Sequence, residues 1–458
     1  MSTNTIAAIG TALSNSGISI IRISGKDSAN IIKKIFKTNS KLEPNTIIYG
    51  KIYDNDVHLD NVLVSYFKAP KSFTGEDVCE INCHGGNQIT KEILELVLKN
   101  GAVLASPGEF SKRAFLNGKM DLSQAEAVIN LINSKTNTAS RVAAKQLDGE
   151  LSRKIKELRE ELIELLAHIE VSIDYPEYDY EEVDVDNVDN LLSKKINQIK
   201  IIANSYDQGR IINEGINVAI LGKPNVGKSS LLNTLAKYEK AIVTDVPGTT
   251  RDIIEETINI GNFVLNISDT AGIRETDDIV EKIGVEKSIK ILDEVDLVIY
   301  IFNAEEKIEK CDLDILSKIQ NKGIKTIVVI NKMDKAKKSI FGTFLNELEG
   351  IGIKSVINMS VLNNIGIEEL KNEIQSMFFD NDMDFQQELI ITNSRHKDLL
   401  LKSIEYLELA KEEIKAGNPI DIISICIKKA TSTLGEIIGT DINSDIAVKI
   451  FEKFCLGK

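Results

Sequence analysis

The 458-residue sequence predicts a multidomain chain of mixed α/β and α+β class, with a parallel-sheet domain inserted in a helical domain and a compact α+β domain ahead of both. Three observations predict it. Residues 217 to about 375 alternate apolar strands with helical segments, the pattern of a parallel sheet covered by helices. Amphipathic helical segments flank that region on both sides. The first 118 residues instead mix short β-rich runs with turn signals. A single core stops growing at roughly 250–300 residues, so a chain of this length needs two or three.

In order along the chain, residues 1–118 carry the β-rich runs Ile18 to Ile23, Val62 to Phe67 and Val78 to Cys83, turn signals at Ser24-Gly25 and Gly85-Gly86, and one helix from Gln88 to Asn100. From 119 to 212 the period becomes helical. Leu151, Ile155, Leu158, Leu162, Leu165 and Ile169 recur three and four apart, which predicts one long amphipathic helix. An acidic stretch from Asp174 to Asp189 reads as a solvated loop before a second helix carrying Leu192, Ile196, Ile199 and Tyr206. Residues 213–376 hold the apolar strands Val218 to Leu221, Val264 to Ile267, Leu297 to Phe302, Thr326 to Ile330 and Lys354 to Met359. From 377 to 458 the helical period returns, with Leu399, Leu400, Ile404, Leu407 and Ile414. Inserting the sheet between two parts of one helical domain explains helices on both sides of it.

Five scattered cysteines and no leader-like start predict reduced thiols and a cytoplasmic chain. No apolar run is long enough to cross a membrane. The formal charge of −14 argues against broad nucleic-acid binding. Residues 1–118 hold 13 Lys and Arg against 11 Asp and Glu, so the acidity lies in the later domains. Cys79 and Cys83, separated by three residues and followed by His84, lie in a β-rich run with no second ligand pair. They read as buried thiols rather than a metal site.

The chemistry is densest in the sheet domain. Gly222-Lys223-Pro224-Asn225-Val226-Gly227-Lys228-Ser229-Ser230 follows the strand at Val218 and fits a phosphate-binding loop. In such a loop backbone N–H groups turn toward phosphate oxygens, Lys228 reaches the β- and γ-phosphates and Ser229 holds magnesium. Asp269-Thr270-Ala271-Gly272 ends the strand Val264 to Ile267, placing Asp269 near magnesium and Gly272 where it senses the γ-phosphate. Gly248-Thr249-Thr250-Arg251-Asp252 supplies Thr250, a magnesium ligand available only when that phosphate is present. Asn331-Lys332-Met333-Asp334 follows a later strand, and Asp334 suits the two ring-edge N–H donors of guanine. Ser360-Val361-Leu362 is a loose version of a second base-contacting loop. Together these motifs predict a GTPase with GTP as substrate. Ile273 stands where Ras-like GTPases place the glutamine that orients water, so hydrolysis must be arranged differently.

With Ile21-Arg22-Ile23-Ser24-Gly25, Ser72-Phe73-Thr74-Gly75-Glu76-Asp77, His84-Gly85-Gly86, Pro107-Gly108-Glu109-Phe110, Arg113 to Lys119 and the terminal Cys455-Leu456-Gly457-Lys458, the motif set resembles the tRNA-modifying GTPases called MnmE or TrmE over nearly the whole chain. The resemblance implies a P-loop GTPase domain inserted in a helical domain behind a folate-binding domain. It implies addition of a carboxymethylaminomethyl or aminomethyl group at carbon 5 of the wobble uridine of certain tRNAs, with a FAD-dependent partner, MnmG or GidA, in a heterotetramer. It further implies a homodimer built through residues 1–118, and a tetrahydrofolate one-carbon derivative held at the matching positions Arg22, Glu80, Lys119 and Lys458. It implies GTP hydrolysis driven by potassium-dependent dimerisation of the G domains. Asn225 and Thr244-Asp245-Val246-Pro247-Gly248-Thr249 match the nucleotide and potassium positions, with Asn225, Thr244, Val246 and Thr249 as potassium ligands. Glu281 matches the acid that orients the attacking water. Cys455 is placed near the folate site without a catalytic role. The alternative reading is a regulatory or ribosome-assembly GTPase that acts as a binding switch.

Overall fold

The computed structural model describes residues 4–174, 185–238, 254–268, 292–336, 348–379, 389–441, 449–452, 454 and 457. The chain divides into two compact units, one of Met1–Ile129, Lys145–Ile199 and Asp398–Lys458, the other of Asn130–Ala144 and Lys200–Lys397.

The first unit opens with a seven-stranded sheet: β1 (Ile6–Ile9), β2 (Ser16–Ser24), β3 (Phe36–Lys37), β4 (Thr46–Asp54), β5 (Val57–Phe67), β6 (Val78–Gly85) and β7 (Val103–Leu104), in the order β3-β4-β5-β6-β2-β1-β7. Alternation sets its buried face. Ile21, Ile23, Val62, Val64, Cys79, Ile81 and Cys83 point into one core with Ile31, Ile32 and Ile35 of α1 (Ser28–Ile35) and Ile93, Leu96 and Val97 of α2 (Asn87–Lys99). Several residues of the segments that carry the family resemblance are structural. Arg113, on α3 (Glu109–Leu116), is buried and pairs with Glu76 at 3.0 Å and Glu109 at 2.9 Å, while Ser24 bonds Thr74 at 2.7 Å and Glu76 at 2.8 Å. Removing one partner from such a buried set typically costs about 3–5 kcal/mol.

The long helix appears as predicted, α6 (Glu150–Asp174), preceded by α4 (Leu122–Asn133) and α5 (Asn137–Leu147). Leu151, Ile155, Leu158, Leu162 and Ile169 are all buried on it. Two details differ from the sequence expectation. The acidic stretch is helical from Val185, because α7 (Val185–Asn204) begins there with Asp186 in its first turn, where a carboxylate favours the helix N-terminus. Tyr206 starts a separate helix, α8 (Tyr206–Glu214), since the chain breaks at Ser205 and Gly209 packs so tightly on Ile391 that an added Cβ would sit 2.1 Å from its carbonyl oxygen.

The second unit holds β8 (Ile216–Leu221), α9 (Lys228–Tyr238), β9 (Ile254–Ile260), β10 (Phe263–Ser268), β11 (Leu297–Asn303), α10 (Lys310–Asn321), β12 (Lys325–Asn331), β13 (Val356–Asn358) and α11 (Ile367–Phe378). Its sheet order is β13-β12-β11-β8-β10-β9, parallel except that β9 runs antiparallel to β10. Near-continuous burial of β11 and β12 reflects helices on both faces, as parallel sheets require. From β8 the chain proceeds to β10 on one side and β11 on the other, which leaves a crevice at the strands' carboxyl ends, the usual ligand site of such sheets.

Afterwards α12 (Ser394–Lys415) and α13 (Ile420–Ile438) close the helical part. Arg159 of α6 donates to the Thr431 carbonyl at 3.0 Å and to Asp441 at 2.6 Å, and Lys411 of α12 pairs with Asp189 of α7 at 3.2 Å. Helices from before and after the inserted sheet therefore meet within the first unit. Among the described residues no helix is long and apolar enough to cross a membrane.

Candidate functional site: a phosphate loop and a base-reading edge

Between β8 and α9 the backbone is bent into conformations that few side chains tolerate. Gly222 has φ +143°, and a Cβ there would lie 2.4 Å from the Ile301 carbonyl oxygen of β11. Gly227 has φ +108°, with an added Cβ 2.3 Å from Asn331 Nδ2. Only glycine fits either place. Asn225 also occupies the left-handed region at φ +63°, which asparagine enters more readily than most residues.

These bends wrap the loop round Lys228. Its ammonium donates to the carbonyl oxygens of Gly222 and Lys223, both at 2.7 Å. Burial holds its pKa below the ordinary lysine value. Among the described residues no carboxylate pairs with it, so a desolvated positive charge faces neutral acceptors at a helix N-terminus. That arrangement favours an anion. Ser229, the next residue, is exposed in the first turn of α9 and presents a hydroxyl oxygen, the hard donor that magnesium takes.

Asn331 links this loop to the far edge of the crevice. Its Nδ2 donates to the Val226 carbonyl at 2.8 Å, and its Oδ1 accepts from the Val361 backbone N–H at 3.1 Å. Asp334 is exposed and accepts from the Ser360 hydroxyl at 2.6 Å, a bond that holds its carboxyl below the usual aspartate value. Lys332 lies between them with φ +63°. Three segments that are far apart in sequence are thus brought together: Gly222 to Ser229, Asn331 to Asp334 and Ser360-Val361.

Arg22 and Glu80 face each other across the β2–β6 register and pair at 2.8 Å. The guanidinium lies 5.3 Å from the Phe73 ring centroid and 5.8 Å from that of Phe110, and its NH1 is 3.5 Å from the Gly457 carbonyl. Gly457 has φ +89°, and a Cβ there would be 2.2 Å from the Ile9 carbonyl, so Gly457 lies against the first sheet. Lys119 donates instead to the Pro70 carbonyl at 3.1 Å. Phe73 and Phe110 escaped the sequence reading as site residues, although both sit inside segments singled out there. Spacing within a segment does not reveal which cation its aromatic ring meets. Burial pushes the Cys79 thiol up to about 12 and raises Cys83 as well, and no cluster of metal-ligating side chains occurs among the described residues.

Thr244, Asp245, Val246, Pro247, Gly248, Thr249, Thr250, Asp269, Thr270, Ala271, Gly272, Ile273, Glu281, Cys455 and Lys458 lie outside the described residues.

Comparison with known proteins matches residues 5–119 to the family model described as GTP-binding protein TrmE N-terminus and residues 122–455 to that described as MnmE helical domain. Curated relatives named tRNA modification GTPase MnmE include those of Acetivibrio thermocellus, 51% identical over 99% of both chains, and Clostridioides difficile, 46% identical over 99% of both. A third, from Finegoldia magna, is 46% identical over the same share of each chain.

Proposed function

This chain belongs to the MnmE family of tRNA modification GTPases, and from that premise we propose that it serves addition of a carboxymethylaminomethyl or aminomethyl group to carbon 5 of the wobble uridine of certain tRNAs. GTP and magnesium come with the family, and tRNA is its substrate. The observation that carries the finer reading is a match at 51% identity that leaves almost none of either chain uncovered. In this reading the chain works in the cytoplasm as a homodimer with a FAD-dependent partner. Residues 1–118 form the folate and dimerisation domain, 213–376 the G domain, and 119–212 with 377–458 the helical domain.

At the nucleotide, Lys228 and the loop N–H groups hold the β- and γ-phosphates, while Ser229 and Thr250 supply magnesium ligands. Magnesium held there would offset the charge of the phosphates. Asp334 reads the guanine edge, while Asn331 braces the phosphate loop through Val226 and Val361. Because Ile273 offers no polar group, Glu281 orients the attacking water. Exposed Asn225, with oxygens of Thr244, Val246 and Thr249, suits a potassium ion, whose charge would stand in for an arginine finger.

At the first sheet, Arg22 meets Oε1 of Glu80, while Oε2 suits a pterin ring N–H, and Phe73 and Phe110 border the pair. Lys119 and Lys458 meet acceptors of the same ligand. Bound there, a tetrahydrofolate derivative supplies the one-carbon unit.

Three measurements test these assignments. GTP turnover in potassium should exceed that in sodium at equal ionic strength by at least about ten-fold, a floor well beneath the roughly 10³- to 10⁵-fold of an arginine finger; equal rates would remove potassium from the scheme. Glu281→Ala should retain GTP affinity and lose roughly 100-fold or more in kcat, the usual scale for a water-activating group. Unchanged hydrolysis returns Glu281 to an ordinary surface acid. Mass spectrometry of wobble uridines after gene deletion should show the C5 substituent gone, whereas intact uridine modification would favour a regulatory or ribosome-assembly GTPase.

A further inference from the structure

Lys223, the second residue of the phosphate loop, is tied into the start of α10 by a network that none of the nucleotide motifs includes. Its Nζ lies 2.8 Å from Glu309 Oε1 and 3.2 Å from Asp312 Oδ2. Asp312 is 2% exposed, and its other oxygen, Oδ1, accepts the Tyr300 hydroxyl at 2.8 Å. Oδ2 also accepts the Glu309 backbone N–H at 3.0 Å, and Glu309 and Asp312 form the reciprocal capping box of α10. Tyr300 lies on β11, one residue before Ile301, whose carbonyl oxygen abuts Gly222.

The chemistry of the network is one-directional. Burial alone lowers the Lys223 pKa, but bonds to Glu309 and Asp312 outweigh that and raise it, so the cation persists. Burial, then the bond to Asp312, raises Tyr300, so its phenol remains a donor. Asp312 thus receives three hydrogen-bonding partners and is fixed in place. Lys223, anchored through its side chain, presents its backbone carbonyl to Lys228.

We propose that Lys223, Asp312 and Tyr300 form a positioning tether for the phosphate loop. Through it α10 and β11 fix the Lys223 carbonyl, which in turn aims the Lys228 ammonium at the nucleotide phosphates. None of the three touches substrate; they act through Lys228. A free loop of this length would pay the ordering cost on each binding event, whereas a tethered one is already shaped. The proposal rests on the phosphate-loop reading, so Lys228→Ala serves as the control for that reading.

The test uses the full chain and follows affinity for a fluorescent GDP, kcat and KM for GTP, and thermal unfolding. Lys223→Met should weaken GDP binding about ten-fold and raise KM with a smaller change in kcat, on the scale of a coupled neighbour. Lys223→Arg keeps the charge and reach and should restore binding to within about three-fold. Combining Lys223→Met with Asp312→Asn should weaken binding no further than Lys223→Met alone, because both cut one link. If Asp312→Asn fails to fold through loss of its cap, Tyr300→Phe replaces it. Unchanged affinity in Lys223→Met overturns the tether, as does equal weakening by Met and Arg. If Lys228→Ala leaves affinity intact, the phosphate-loop reading fails instead.

Discussion

Replacing Lys228 with alanine is expected to lower guanine-nucleotide affinity by about 30- to 150-fold, since a charge-assisted hydrogen bond to phosphate in a partly desolvated site carries roughly 2–3 kcal/mol. The same substitution should leave the melting temperature of the nucleotide-free chain unchanged or slightly raised. The two expectations come from one cause. In the absence of an anion the ammonium is half removed from water and bonded to the carbonyls of Gly222 and Lys223, so it is held at a desolvation cost. Phosphate repays that cost, and alanine removes both. Titrating a fluorescent GDP and melting the same samples by circular dichroism measures each half. A loss below ten-fold, or a large drop in stability, would mean that Lys228 serves the fold and not the phosphate.

Asp334→Asn should exchange guanine for xanthine. Asp334 is a carboxylate at neutral pH, because the Ser360 hydroxyl bond pulls its pKa further below the ordinary value. As an acceptor only, it matches the N1–H and exocyclic N–H of guanine. Asparagine presents an N–H to that amine and leaves a donor facing a donor. GTP affinity should fall by about 100- to 1,000-fold, the range for a site whose polar group goes unpaired. Xanthine carries a carbonyl where guanine carries the amine, so XTP should bind the variant at least ten-fold better than GTP does. The Ser360 hydroxyl rotates to suit either side chain, so the loop geometry survives the change. Competition of GTP and XTP against labelled nucleotide settles the outcome, and a variant that still prefers GTP would take Asp334 out of base recognition.

How much of this site was legible depends on the range of the interactions. The loop from Gly222 to Ser229 is local: its glycines, its lysine and its preceding strand are contiguous, although the atoms that exclude a side chain at Gly222 and Gly227 belong to Ile301 and Asn331, far along the chain. Asn331 and Asp334 were legible as a spaced motif. Their actual partners, Val226, Val361 and Ser360, became visible only once β12 and β13 were laid beside β8 and β11. The loose Ser360-Val361-Leu362 match gains its significance this way, since it contributes a hydroxyl and a backbone N–H, neither of which depends on the residue types expected at the second and third positions. Lys223 shows the opposite case. A lysine beside a proline in a loop gives no hint of a buried aspartate nearly ninety residues on.

The helical arms divide the same way. Periodicity found α6 because its buried stripe is written every three or four residues. It misjudged where α7 begins and merged α8 with it, because helix ends depend on capping and on neighbours such as Ile391 that lie elsewhere in the chain.

By itself, then, the sequence determined the domain classes, the order of the guanine-nucleotide motifs and the absence of a polar residue at Ile273, all of which follow from local periodicity or contiguous residue chemistry. Tertiary structure alone decided which cation meets which ring at Arg22, that Arg113 belongs to a buried structural network, and that Lys228 is aimed by carbonyls anchored through Lys223 to Asp312. Those contacts depend on strand register and helix packing, which bring together residues whose separation along the chain carries no record of their meeting.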